Sequence, residues 1–321
     1  MVFYSRLRSL ILLFTFLPLA GCLLRTHEVV KPSSALPIKE ASKEQLIETI
    51  NNMTSRVQSF AATVDIDTSV SKQKKGKPNR YQVTDYPEIS GYVLMRKPEM
   101  LRMKGLVPVV RSTLFDMVSN GKTFALSIPT QNKFVVGSNT VGKPSSQALE
   151  NLRPQAVMDA LLLKEIDPQT EIPILEQKTE MVRDPKTHKE VEEADYELII
   201  SRKLGNDWYL SRKIVFSRVD LLPHRQLIYD LQGAVATDAR YDNFTNYQGT
   251  LFPAIVQIVR PIENYSIQLS ITKLTLNQPL KDEQFSLTQP PGSRLLNLDR
   301  KDGNTAQVNG QPAEETPKPL R

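Results

Sequence analysis

From residue 60 onward the spacing of this chain's apolar residues changes to a period of two, helical character returning only around 154–163, and that period confines the fold to sheet. Val64, Ile66, Thr68 and Val70 alternate with polar neighbours, and Gly91, Val93 and Met95 alternate with Ser90, Tyr92 and Leu94. Residues 114–119, then Asn120-Gly121, then Phe124, Leu126 and Ile128 read as a hairpin, because Asn-Gly supplies the positive φ that a tight turn needs. A further strand at 133–136 follows a turn at 129–132. More are predicted at 196–200, 208–217, 225–231, 234–241, 252–259 and 265–276, separated by turns at 205–207 and 230–233.

Helical spacing occurs twice. Ser42 can cap a first helix with Gln45 three residues on, and Leu46, Ile47, Ile50 and Met53 share its face. Val157, Leu161 and Leu162 recur behind Pro154, which suits a first turn. A dozen strands, two helices and no β-helix-β alternation predict a mainly β (α+β) domain: a strongly curved antiparallel sheet forming an unclosed β-barrel with the helices as its lid. Tyr265, Ile267, Leu269 and Ile271 face one way along the last strand, Ser266, Gln268, Ser270 and Thr272 the other, so one face is dry. Two helices leave concave apolar surface to spare, which predicts a cavity.

The ends differ in kind. Arg6 and Arg8, an apolar run at 10–19 and Leu19-Ala20-Gly21-Cys22 read as a lipoprotein export signal over 1–21, with the thiol of Cys22, the only cysteine, receiving the lipid. An ordinary signal peptide with a chance cysteine is the competing reading. Leu23, not Asp, follows Cys22, which points to an outer-membrane, lipid-anchored protein facing the periplasm. Residues 22–41, with Pro32, Ser33, Ser34 and Pro37, are expected to be a flexible tether. Residues 288–321, rich in Pro, Gly and Asn, are expected to be a disordered tail, leaving 42–287 as the domain. Beyond residue 22 no apolar run approaches the ~20 residues that span a bilayer. One cysteine allows no internal disulfide.

Side-chain chemistry argues against an enzyme. His27, His188 and His224 belong to no metal-ligand motif, there is no G-x-S-x-G elbow, and Gly121-Lys122-Thr123 lacks the upstream Gly of a phosphate loop. Neither metal nor cofactor is expected. Loss of Arg6 and Arg8 from the net charge of +6 leaves 39 basic and 35 acidic residues, too weak an excess to attract nucleic acid. The basic run Lys72, Lys74, Lys75 and Lys77 and the acidic run Glu192, Glu193 and Asp195 read as solvated loops, with anionic lipid head groups the alternative for the lysines. Residues 105–110 are apolar where a turn should be polar. Either they start the next strand and bury, or Leu106 and Val107 protrude toward a membrane.

At Lys97-Pro98, 100–104, Asn120-Gly121-Lys122-Thr123-Phe124 and Ile128-Pro129, the chain resembles the lipoprotein-localisation (Lol) family of periplasmic carriers and lipidated outer-membrane receptors. The likeness runs over residues 42–140 and continues more loosely through Tyr241-Asp242-Asn243-Phe244, Phe252-Pro253 and 265–277. It implies acyl chains of a lipoprotein or lipid as cargo, held by Val93, Met95, Leu101, Met103, Phe124, Leu126 and Ile128, with Tyr265, Ile267, Leu269 and Ile271 on the closing strand. It also implies a receptor whose loop at Leu106 and Val107 contacts the membrane; the chain is expected to be a monomer. The carrier usually has Arg at the place of Lys97, which leaves its lid-latching role open. An envelope scaffold that binds through the barrel surface and the tail is the alternative function; a cavity filled by its own side chains would favour it.

Overall fold

The computed structural model describes residues 37–74, 76, 80–139, 153–183 and 188–299. The export signal and Cys22 therefore lie outside the described residues, as do Lys75 and Lys77.

The chain opens with α1 (Lys43–Ser55), capped as the sequence predicts: Ser42 Oγ accepts from the amide of Gln45, and Gln45 Oε1 accepts from the amide of Ser42. β1 (Ser59–Gln73) follows, then β2 (Tyr81–Asp85), β3 (Ile89–Arg96), β4 (Met100–Leu106), β5 (Thr113–Ser119), β6 (Thr123–Ile128) and β7 (Lys133–Ser138). The second helix, α2 (Pro154–Leu161), precedes β8 (Glu171–Arg183), β9 (Glu190–Leu204), β10 (Asp207–Ser217), β11 (Pro223–Tyr229), β12 (Val235–Tyr247), β13 (Thr250–Arg260), β14 (Tyr265–Leu276) and β15 (Arg294–Asn297).

All fifteen strands join one sheet, in the order β15-β7-β6-β5-β4-β3-β1-β14-β13-β12-β11-β10-β9-β8, with β2 on β1. Two meanders, β3 to β7 and β8 to β14, are stitched together by β1, which pairs with β3 on one side and β14 on the other. The ends of this order, β15 and β8, do not pair, so the sheet stays open. Toward the far end of β8, Arg183 Nε donates to the carbonyl of His188 at 3.1 Å.

Side chains on one face form continuous apolar rows: Leu126, Met117, Met103, Val93 and Ala62 are successive cross-strand partners, as are Tyr241, Val256, Leu269 and Ile66. Two glycines let neighbouring side chains close over β3 and β4. A Cβ on Gly91 would lie 2.7 Å from Ile66 Cδ1, and one on Gly105 would run into the Phe115 ring, so both side chains fold over bare backbone. Both helices lie on the sheet, α2 against β5, β12 and β13 and α1 against β13.

Four expectations change. The tether ends in ordered chain: the amide of Lys39 donates to Arg218 O at 2.6 Å, and that of Ala41 to the Tyr196 hydroxyl at 3.3 Å. The tail region read as disordered contains β15, which pairs in parallel with β7 through Leu295 and Leu296. Glu192, Glu193 and Asp195 lie within β9 and Lys72 within β1, rather than in loops. The predicted cavity is filled, as described next.

Candidate functional site

The eleven residues expected to line a cavity are brought together. Val93 and Met95 on β3, Leu101 and Met103 on β4, Phe124, Leu126 and Ile128 on β6, and Tyr265, Ile267, Leu269 and Ile271 on β14 all belong to one buried cluster. Met95, Leu101, Leu126, Ile128 and Leu269 expose no surface at all, which leaves no water-sized void beside them. Leu46 and Ile50 of α1 and Val157 and Leu161 of α2 join the same cluster, so the helices and bulky side chains take up the space that the sheet curvature creates. Methionines at 95, 103 and 117 make part of this filling adaptable, because an unbranched thioether repacks at small cost. At one end the lining turns polar. The Arg153 guanidinium lies 5.4 Å from the centroid of Phe124, and burial pushes the Tyr265 phenol up to about 12.

A small opening survives at the seam of the lid. A cavity of about 30 Å³ is lined by Met53 and Thr54 of α1, Leu161 at the end of α2, Leu162 and Leu163 just after it, and Pro223, Tyr241, Phe244, Leu251, Phe252 and Pro253 of the sheet. This is room for about one water.

Polar contacts hold that lid at few points. Lys97 Nζ donates to Thr54 O at 2.6 Å, a cation on the last turn of α1, where the helix dipole favours it. Burial lowers the pKa of Lys97, and Glu165 opposes that shift. Thr54 Oγ1 donates to Leu163 O at 3.0 Å, tying α1 to the strap after α2. Gln226 Nε2 donates to Asp159 O at 2.9 Å. Arg212 donates to Lys164 O at 2.7 Å and Glu165 O at 3.0 Å, and also pairs with Glu171 at 2.9 Å. The Glu171 side chain is fully buried and takes a second guanidinium, that of Arg202, at 2.5 Å. Burial alone would raise the Glu171 carboxyl, but Arg212 and Arg202 outweigh it and hold the group below the usual carboxylate range.

Sequence reasoning passed over this clamp, although its signal was present: Arg212 occupies the same parity on β10 as the buried Ile214 and Phe216. The loop after β4 also differs from expectation. Leu106 is 8% exposed and Val107 half-buried, whereas Val109 is 98% exposed. Leu106 buries because it still belongs to β4, paired with Ser90 and Thr113. The protruding pair is Val109 and Val110.

Among the described residues no helix is long and apolar enough to cross a membrane. There too, no group of three or more His, Cys, Asp or Glu could hold a metal ion.

No family model and no curated protein matches the chain. Among solved structures it is similar to a LolA superfamily protein from Nitrosomonas europaea, at 15% identity and a TM-score of 0.45, covering 77% of this chain and 99% of that one. A DUF1329 family protein from Desulfovibrio piger gives 14% identity and a TM-score of 0.47, over 75% and 95% of the two chains. An outer membrane lipoprotein-sorting protein domain from Vibrio parahaemolyticus gives 13% and 0.40, over 75% and 96%. At TM-scores below 0.5 these likenesses assign neither a site nor an activity; both rest on the residues of this chain.

Proposed function

We propose that this chain is a lipid-anchored envelope protein that takes the acyl chains of a lipoprotein or lipid into its apolar interior and aids their transfer at the outer membrane. The observation that carries this reading is the lid. An interior of aliphatic and thioether side chains is closed by two short helices whose free ends are fastened by isolated polar contacts, around an apolar seam. Each methylene moved from water into such an interior contributes ~0.8 kcal/mol, enough for one acyl chain to outweigh several hydrogen bonds of ~1 kcal/mol each. Loading then means displacing α1 and the strap and repacking Met95, Met103 and Met117. Val109 and Val110 would touch the bilayer during delivery, and Cys22 would carry the anchor.

A second reading is favoured by one observation, the filled interior. An envelope scaffold that binds only through its surface needs no lid and would have this core. Purification of the full chain from membranes, followed by mass spectrometry of co-purified lipid and titration with a fluorescent fatty acid, separates the two. Saturable uptake supports the carrier. A chain that binds no acyl probe, with Lys97 intact or replaced, is the scaffold.

A further inference from the structure

Beyond Val70 the β1 strand leaves the main sheet. Its last register partner on β14 is Tyr265, the Ser71 amide still donates to Asn264 O at 2.8 Å, and residues 72–73 pair with β2 alone, forming a two-stranded arm. Every residue of β2 is exposed. Tyr81, Val83 and the neighbouring Tyr86 each show more than half of their surface to solvent. Two-stranded ribbons without a packed face are marginal by themselves. This one nevertheless displays a tyrosine and a valine on an edge strand and a second tyrosine just past its end, where polar residues are the usual protection.

Its charge is mainly basic, with Asp85, the last residue of β2, as the one acid of that strand. Lys72, Lys74 and Arg80 are exposed on the described part of the arm, between Val70 and Thr84 no acid occurs in the sequence, and none of the three takes part in an ion pair among the described residues. The register places the arm at the same rim of the sheet as the loop after β4, since Ile89 begins β3 opposite Ile66 and Leu106 ends β4 opposite Ser90. That loop adds Val109, Val110 and Arg111, whose Nη2 donates to the Tyr92 hydroxyl at 3.4 Å. Tyrosines beside lysines and arginines suit the head-group layer, with rings at the boundary and cations on phosphate.

We infer that the β1–β2 arm is an anionic-lipid docking element, which lays Tyr81, Val83 and Tyr86 on the bilayer boundary while Lys72, Lys74 and Arg80 engage lipid phosphates. This deepens the reading of Val109 and Val110 as membrane contacts, on which it rests, by giving the rim a lipid preference.

Because Cys22 is the only cysteine and would be acylated, Val83→Cys creates a single free thiol for an environment-sensitive fluorophore. The labelled full chain is reconstituted into phosphatidylcholine vesicles with or without phosphatidylglycerol. A blue shift confined to the phosphatidylglycerol vesicles and reversed by salt is expected. Lys72→Gln, Lys74→Gln and Arg80→Gln together should lower the docked-to-free ratio roughly 100-fold. An equal shift on pure phosphatidylcholine would overturn the charge recognition. No shift at Val83→Cys while a fluorophore at Val109→Cys still responds would overturn the arm and leave the loop standing. A shift that appears only on adding envelope protein would make the arm a protein-docking strand and overturn the inference. Circular dichroism of each variant confirms folding, and fatty-acid uptake, measured in parallel, reports on acyl binding independently.

Discussion

Lys97 and Thr54 meet end to end: the ammonium at the close of β3 caps the last turn of α1, with Nζ 2.6 Å from the Thr54 carbonyl oxygen. Just beyond α1, Arg56 Nη1 donates to Gly249 O at 3.3 Å. Replacing Lys97 by Met keeps the stem that packs at the seam and removes the donor. Stability should fall by about 1 kcal/mol, since the carbonyl can turn to water. Uptake of a fluorescent fatty acid should become faster in stopped flow, because the lid opens more often. Unchanged uptake beside the small stability loss would mean that α1 does not gate the interior.

Arg212 and Glu171 give a larger and different effect. Arg212→Met leaves a fully buried carboxylate with Arg202 alone and frees the carbonyls of Lys164 and Glu165, so a loss of about 3–5 kcal/mol is expected in urea unfolding. Arg212→Met with Glu171→Leu should recover much of it, as the orphaned charge is then gone. The pH dependence has a definite sign. Glu171 titrates below the unfolded value of about 4.3, so its contribution is complete above that pH and is lost as pH falls through the lower, folded value. Without Arg212 the loss should begin at higher pH. A double variant no more stable than Arg212→Met would refute the pairing.

Leu269 tests the interior itself. It exposes no surface and packs between Ile66 and Val256 across the sheet. Leu269→Ala should cost about 2–5 kcal/mol and leave a cavity. If the interior is the acyl site, the same variant binds a short fatty acid more tightly, and that ligand restores part of the melting temperature. A destabilised variant that no fatty acid rescues would place acyl binding elsewhere.

Local rules made much of this fold legible. The capping box at Ser42, the Asn120-Gly121 hairpin and the full extent of β14 follow from side-chain spacing and turn chemistry alone. What escaped depends on distant partners. β15 is held through its pairing with β7, in a segment whose own composition argues for disorder. β2 has no buried residue and therefore no alternation to read. The lining residues were legible as a dry face, but whether a dry face encloses a void or a filled core depends on how α1, α2 and side chains such as Phe115 and Met117 settle against it, which no single strand's pattern contains.

Val109 and Val110 decide whether the rim serves delivery. Val109 is β-branched, at φ +66°, and almost wholly exposed, an arrangement that costs about 1–2 kcal/mol with no burial to offset it. Glycine would remove that strain, though its greater freedom in the unfolded chain takes back about 0.5–1 kcal/mol. Val109→Gly with Val110→Ser should therefore leave the melting temperature unchanged or slightly raised, yet slow transfer of a fluorescent acyl cargo into liposomes. Leu106→Ser, three and four residues earlier in the chain, should do the opposite in stability, losing about 2–3 kcal/mol because a buried leucine is replaced by a hydroxyl. If the loop pair is destabilising instead, its valines serve the fold. If both variants melt as expected but the loop pair transfers cargo at the wild-type rate, delivery uses another surface.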